Sequence, residues 1–324
     1  KTTKIFNPDD NVLLDYLDDD GFSIEPKYYV PILPMILVNG CRGIGTGFSS
    51  TIPCFNPKDI IANLKKLMKF GERATLTKMT PWYEGFKGEI KSVDTNKWTT
   101  HGTYSVRLNK VTVTELPIGM WTEDYIEFMK KMETDGEIQH FDNRSSEVAV
   151  NIEITFGPAR LAELVASDKL AGFLNLSKPI SATNMHVLDE NRQIVKIKEP
   201  EDLIVRFFTV RKVFYAKRKA WIEKHTTHDL KVLQNKIRFI QEVASQTIKL
   251  YGTKKAVTAA YLDKEKYYKV KQAFQYLFDL KCEHFTEEKV AALRKEIATK
   301  ETMLKTLQGK DPMDLWKEDL VAKV

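Results

Sequence analysis

The chain has 324 residues, 43% of them hydrophobic, which suffices for a buried core and, at this length, for two or three structural units. Its three cysteines, Cys41, Cys54 and Cys282, are widely spaced and odd in number, which excludes a disulfide framework or a cysteine zinc site. A net charge of +6 is moderately basic, and the longest apolar run, residues 28–38, is broken by Pro31 and Pro34 and is too short for a bilayer, so no membrane role is expected.

Residues 9–20, DDNVLLDYLDDD, are acidic; the pattern predicts a short helix over 11–17 and a polar turn over 18–21. The apolar residues 29–38 read as a buried strand or extended segment. A glycine cluster follows, with Gly40, Gly43, Gly45 and Gly47 ahead of Ser49, Ser50, Thr51, Ile52 and Pro53. Asn56, Pro57, Lys58 and Asp59 open an amphipathic helix through Met68, with Ile60, Ile61, Leu64, Leu67 and Met68 on one face. Residues 79–117 read as β-structure, and 103–108 with 110–115 alternate at period two around a turn at Asn109. A helix over 121–132, a strand over 148–156, a helix over 160–174, a polar loop over 177–185 and a hairpin over 186–198 complete a mixed α and β block.

Beyond Pro200 a helical stretch runs to about Ile248 without glycine or proline. Leu230, Leu233, Ile237, Ile240, Ala244 and Thr247 keep the spacing of a coiled-coil seam, as do Val290, Leu293, Ile297, Lys300, Leu304 and Leu307. The two segments are predicted to fold back as an antiparallel pair. Between them Tyr261, Tyr267, Tyr268, Phe274, Tyr276, Leu277 and Phe278 form an aromatic knob that needs a partner or its own core. The basic stripe over 206–224, interleaved with aromatics, suits either a phosphate backbone or a solvated helix face whose aromatics pack inward.

The glycine cluster does not fit a nucleotide loop. Phe48 stands where a dinucleotide fingerprint needs its third glycine, no P-loop lysine is present, and Pro53 follows where a helix would open. Tight turns and close backbone packing are one remaining reading.

The other rests on resemblance. Residues 28–57, YYVPILPMILVNGCRGIGTGFSSTIPCFNP, resemble the segment downstream of the active-site tyrosine in type IIA DNA topoisomerases, in the eukaryotic-type version. Further family motifs occur in order: Phe6-Asn7-Pro8, Ile24-Glu25-Pro26, Met79-Thr80-Pro81-Trp82 with Gly85-Phe86-Lys87-Gly88, Glu115-Leu116-Pro117, and Asp314-Leu315-Trp316 with Asp319-Leu320. The resemblance implies an α+β chain: the end of a winged-helix and DNA-gate region over 1–56, a mixed α/β tower-like domain over 57–198, a coiled-coil arm from 199–248 and 286–324, and a helical dimerisation knob over 249–285.

It also implies roles. Ile52 matches an isoleucine inserted between base pairs to bend duplex DNA. Arg42, Thr46, Ser49, Ser50 and Thr51 would lie along the sugar-phosphate chain. A second DNA-contacting loop would comprise Asn175, Leu176, Ser177, Lys178, Pro179, Ile180, Ser181, Ala182, Thr183 and Asn184, with Lys178 on a phosphate. Lys87 and the 206–224 stripe are looser candidates. No catalytic residue is expected here, because the family's tyrosine falls before Lys1. The acidic Mg2+ module and the ATPase also belong to other parts of the parent polypeptide. The implied partners are double-stranded DNA, a second copy through the knob and the remaining parent domains. The implied location is the nucleus or the replication compartment of a large DNA virus. A DNA-binding coiled-coil scaffold without catalysis is the rival reading.

Overall fold

The computed structural model describes residues 5–323. A 3-10 turn over Pro8–Leu13 is capped by the Asn7 side chain, which accepts from the Asp9 amide. A hairpin follows, β1 (Tyr16–Asp19) and β2 (Phe22–Pro26), turning at Asp20 (φ 51°) and Gly21 (φ 85°). The helix expected over 11–17 is therefore absent: so short a helix has little to offset its nucleation cost, and Tyr16 joins the ladder instead.

The apolar residues after Pro31 are buried as expected, with Ile32, Leu33 and Leu37 inside, but the backbone coils into a short helix, α1 (Met35–Asn39). Prolines cannot donate to a strand ladder. Next come β3 (Cys41–Gly45), β4 (Phe48–Ile52) and α2 (Pro57–Phe70), whose Asn56 cap and buried Ile60, Leu64 and Leu67 match the sequence reading. The block continues with β5 (Glu89–Asp94), β6 (Lys97–His101), β7 (Thr103–Arg107), β8 (Lys110–Glu115), α3 (Thr122–Thr134), β9 (His140–Asn143), β10 (Ile152–Thr155), α4 (Pro158–Ala166), α5 (Leu170–Phe173), β11 (Ser177–Ser181), β12 (Met185–Leu188) and β13 (Ile194–Ile197). Then follow α6 (Pro200–Ala244), α7 (Lys255–Lys264), α8 (Gln275–Phe278), α9 (Glu287–Gln308) and α10 (Pro312–Lys323).

The chain divides into two compact units, Leu33–Val210 and Lys1–Ile32 with Arg211–Val324. In the first, an antiparallel sheet of order β7-β8-β10-β9 turns Val111, Val113, Ile152 and Ile154 onto Tyr125 and Met129 of α3 and Leu161 and Leu164 of α4. These strand residues alternate at period two, so one face of the sheet is buried. A second sheet has the order β11-β6-β5. Here the polar loop expected over 177–185 is corrected: Ser177–Ser181 is a strand paired with β6, Pro179 opposite Thr99. The strand lies at the sheet edge, where a proline leaves no ladder bond unmade.

In the other unit, Leu233, Ile237 and Ile240 of α6 pack on Leu293 of α9. Lys300 reaches Asp229 at 2.8 Å, and the Lys219 ammonium donates to the carbonyls of Gln308 and Lys310. Rising numbers on one helix meet falling numbers on the other, so the pair is antiparallel. Leu262, Tyr267, Phe274 and Leu277 close with Phe239 and Ile248 into a core of their own. Within one chain the knob thus buries Tyr267, Phe274 and Leu277 and leaves Tyr261, Tyr268, Tyr276 and Phe278 half-buried.

The root of the helix pair carries a buried charge cluster. Arg211 Nη2 donates to Asp10 Oδ2 at 2.7 Å, and Arg218 donates through Nε and Nη2 to both Asp10 oxygens at 2.8 and 3.0 Å. Arg218 Nη1 and the Tyr215 hydroxyl both donate to Asp319 Oδ2, at 2.8 and 2.9 Å. Both guanidiniums lie over the Tyr215 ring, at 4.4 and 4.2 Å, and Trp316 stacks on it at 5.1 Å. The Trp316 indole N–H donates to the carbonyl of Ile32 at 3.1 Å. Segments more than 100 residues apart in sequence are joined here by ion pairs and hydrogen bonds. Within the basic stretch over 206–224, Arg211 and Arg218 are buried and paired while Arg206, Lys212, Lys217 and Lys224 stay exposed.

Candidate nucleic-acid interface

The glycine cluster folds as an antiparallel hairpin. Cys41 faces Ile52, Arg42 faces Thr51, Gly43 faces Ser50, Ile44 faces Ser49 and Gly45 faces Phe48, around a two-residue turn of Thr46 and Gly47. Gly47 has φ 87°, a left-handed conformation that suits glycine at the second turn position. Because side chains alternate, Arg42, Ile44, Ser49 and Thr51 share one face and Ser50 and Ile52 the other.

The two faces have different fates. Ile52 is 3% exposed and belongs to the core. That burial argues against its expected role as the base-pair wedge, since a buried side chain cannot enter a base step. Ile44, two residues from the turn on the opposite face, is 92% exposed. Its chain neighbours Gly43 and Gly45 carry no side chains to shield it. Eight residues apart, the two isoleucines would share a face by simple alternation; the two-residue turn at Thr46 and Gly47 is what sets them on opposite faces.

The hairpin is braced by the second candidate segment. The Thr51 amide donates to the Asn184 carbonyl at 2.8 Å, and Asn184 Nδ2 donates to Ser49 Oγ at 2.7 Å. Ser50 Oγ donates to the His186 carbonyl at 2.8 Å and accepts from the His186 amide at 3.0 Å. Ser50 therefore positions the hairpin, and its hydroxyl is engaged within the protein. Ser50→Ala is expected to cost about 1–2 kcal/mol, read as a lower urea midpoint with unchanged slope.

Within 175–184, Leu176 and Ala182 are fully buried, Ser177, Ile180 and Ser181 are half-buried, and Asn175, Pro179 and Thr183 are exposed. The Lys178 ammonium donates to the Gly119 carbonyl at 2.6 Å, which uses one of its three protons and leaves two for an anion. Ser181 and Thr183 share a hydrogen bond of 2.8 Å. The hairpin thus gathers Arg42, Ile44, Thr46, Ser49 and Thr51 beside Asn184 as a candidate interface, whereas Leu176, Ala182 and Ile52 are buried. Lys87 is exposed in the loop between Gly85 and Gly88.

Other chemistry is poorly provided for. Burial raises the Cys54 thiol above its ordinary pKa, which disfavours a thiolate nucleophile. Among the described residues no group of three or more His, Cys, Asp or Glu is placed to hold a metal ion. The acidic turn at Asp18 is instead closed internally, Asp18 Oδ1 accepting from the Gly21 amide. The glycine turn of Thr46 and Gly47 leads into β4, and α2 opens only at Pro57, so the turn itself does not aim a helix N-terminus at a phosphate. No described helix is long and apolar enough to cross a membrane.

The sequence profile for the A subunits of DNA gyrase/topoisomerase IV matches residues 1–321. The chain belongs to that topoisomerase family. Its similarity is to eukaryotic members: it is 33% identical over 98% of its length to the mitochondrial DNA topoisomerase 2 of Dictyostelium discoideum, and 39% identical over 79% to DNA topoisomerase 2 of Pisum sativum. It spans 25% and 18% of those two proteins. A crystal structure of the Plasmodium falciparum topoisomerase II DNA-binding, cleavage and re-ligation domain superimposes with a TM-score of 0.89 at 30% identity, covering 98% of this chain and 47% of that one. The match thus covers residues of both units.

Proposed function

We propose that this chain is the duplex-holding and duplex-bending segment of a type IIA topoisomerase, an enzyme that passes one DNA duplex through a transient double-strand break in another. The observation that supports it is Ile44, an exposed apolar side chain at the tip of a braced hairpin whose same face carries Arg42, Ser49 and Thr51. An apolar wedge that unstacks a base step costs about a few kcal/mol, and phosphate contacts along the bent duplex offset it. Arg42 supplies charge beside the wedge, Thr46, Ser49 and Thr51 supply neutral donors, and Lys178, Asn175 and Thr183 extend the track.

The same role accounts for the remaining parts. Residues 57–198 form the tower against which the duplex bends, and α6 with α9 forms a coiled-coil arm. Residues 249–285 form an exit gate that pairs with a second copy; Tyr251 at 89% exposure and Val257 at 59% are the apolar side chains this knob leaves outside. The nucleophilic tyrosine, the Mg2+ module and the ATPase reside in other parts of the parent enzyme. Such a protein works in the nucleus or the replication compartment of a large DNA virus.

Energy transfer between dyes on the two ends of a short duplex tests the wedge. Ile44→Ala is expected to remove a kink on the order of tens of degrees, while duplex binding keeps its salt dependence. Undiminished bending by this variant would sink the assignment of the wedge to Ile44. A second expected result is that the exposed Arg42→Ala weakens binding and lowers the salt slope by about one phosphate contact.

A further inference from the structure

A cavity of about 710 Å3 lies on the α6–α9 pair, away from the hairpin residues in sequence and walled by α6, the knob residue Tyr268 and Gln308 at the end of α9. Its size falls within the roughly 300–1,000 Å3 of small-molecule sites. Trp221 and His225, one turn apart on α6, stack with ring centres 4.9 Å apart and planes 9° apart. Farther along, His228 Nδ1 and the Tyr268 hydroxyl share a hydrogen bond of 2.8 Å, and the Lys231 ammonium sits 5.5 Å from the Tyr268 ring centre.

The charge of the lining is one-sided. Lys224 and Lys231 both reach it, and among the described residues neither enters an ion pair. Glu223, the acidic residue of the lining, faces Lys219 at 3.7 Å. Asp229, 3.9 Å from His225 Nε2, is held by Lys300 at 2.8 Å. The cavity therefore offers a flat stacked aromatic pair, two ammoniums that among the described residues enter no ion pair, one of them lying over the Tyr268 ring, and no uncommitted carboxylate. A bare anion would use only the lysines, and an apolar ligand would leave them unused.

We propose that this cavity binds a nucleotide, its unpaired base stacked on the Trp221–His225 pair and its phosphate toward the Lys224 and Lys231 ammoniums. Base stacking on aromatic side chains and phosphate pairing with lysine are the chemistry by which unpaired nucleic acid is held. The site uses no residue of the hairpin, so it stands apart from the duplex-bending reading.

Calorimetric titration of the whole chain at low salt tests it with three probes: thymidine monophosphate, a short single-stranded oligothymidylate, and inorganic pyrophosphate. The expected result is binding of the mononucleotide that weakens about 10-fold in Lys224→Ala and again in His225→Ala, and is unchanged in Ile44→Ala. Both tested cavity side chains are exposed, so their loss leaves the fold intact. An oligothymidylate that binds far tighter than the mononucleotide, with the same losses, makes the occupant an unpaired stretch of strand; equal affinity makes it a free nucleotide. Pyrophosphate binding as tightly as the mononucleotide, no effect of either cavity variant, or no binding of either nucleotide probe overturns the proposal.

Discussion

Asp10→Ala is expected to destabilise the unit formed by residues 1–32 and 211–324 by about 3–5 kcal/mol. Asp10 is 3% exposed and accepts three hydrogen bonds from two guanidiniums. Taking two arginines out of water is tolerable only while their charge is matched. Arg211 is fully buried, and its Nε and Nη1 already have no hydrogen-bond partner. Deleting the carboxylate removes the one acceptor Nη2 has and leaves a buried cation with nothing to neutralise it. Asp9, its exposed neighbour, is the control: Asp9→Ala changes stability by about 0.5 kcal/mol or less, once the loss at the start of a short turn is included. Urea unfolding separates the two, and an Asp10→Ala midpoint equal to that of Asp9→Ala would show that the cluster is not structural.

Gly40→Ala carries the second large effect, and it reaches the proposed interface. Gly40 has φ 66° and ψ 176°, a backbone conformation that side chains resist at a cost of about 1–3 kcal/mol. An added Cβ would also lie 2.8 Å from the Ile52 carbonyl oxygen and 2.9 Å from Cys54 Sγ. The carbonyl belongs to the hairpin's own base, so relief requires the strands to shift, adding about 1–3 kcal/mol of overpacking. The expected outcome is a protein less stable by about 2–5 kcal/mol that also bends DNA poorly, because the platform beneath Ile44 has moved. Gly43→Ala is the contrast: a Cβ there meets nothing within 4 Å, so stability should hold. Thermal unfolding together with the dye-labelled duplex distinguishes a displaced hairpin from a merely destabilised chain.

Much of the architecture was legible from periodicity. The helix of residues 57–70, the hairpin around Asn109 and the long helices of the antiparallel pair each repeat a pattern over enough residues to fix their type. Short segments misled. Pro179 made an edge strand look like a loop, and the two prolines near residue 31 hid a helical turn behind an extended-looking run. Asp10 gives no local sign of its role, because what distinguishes it from Asp9 is a pair of arginines some 200 positions later. The candidate site was legible as a region, and burial sets its two isoleucines apart. Motif matching put the wedge at the isoleucine beside a proline; the hairpin register, and the open space around a side chain between two glycines, favour the proposed assignment to Ile44.

The brace between the hairpin and the strand beginning at Met185 ties recognition to a thermodynamic loop. The glycine-rich ribbon has little side-chain packing of its own, and Ser49, Ser50 and Thr51 are held in place by Asn184 and His186. A ligand that orders one partner of such a pair lowers the entropy cost of ordering the other, and by linkage the effect is equal in both directions. On the proposed function, backbone grip at residues 175–184 and base-step entry at Ile44 would be cooperative through this brace. A duplex too stiff to unstack would then be released by the phosphate contacts as well, and the proposed function predicts that the deformability of the DNA sets its residence time.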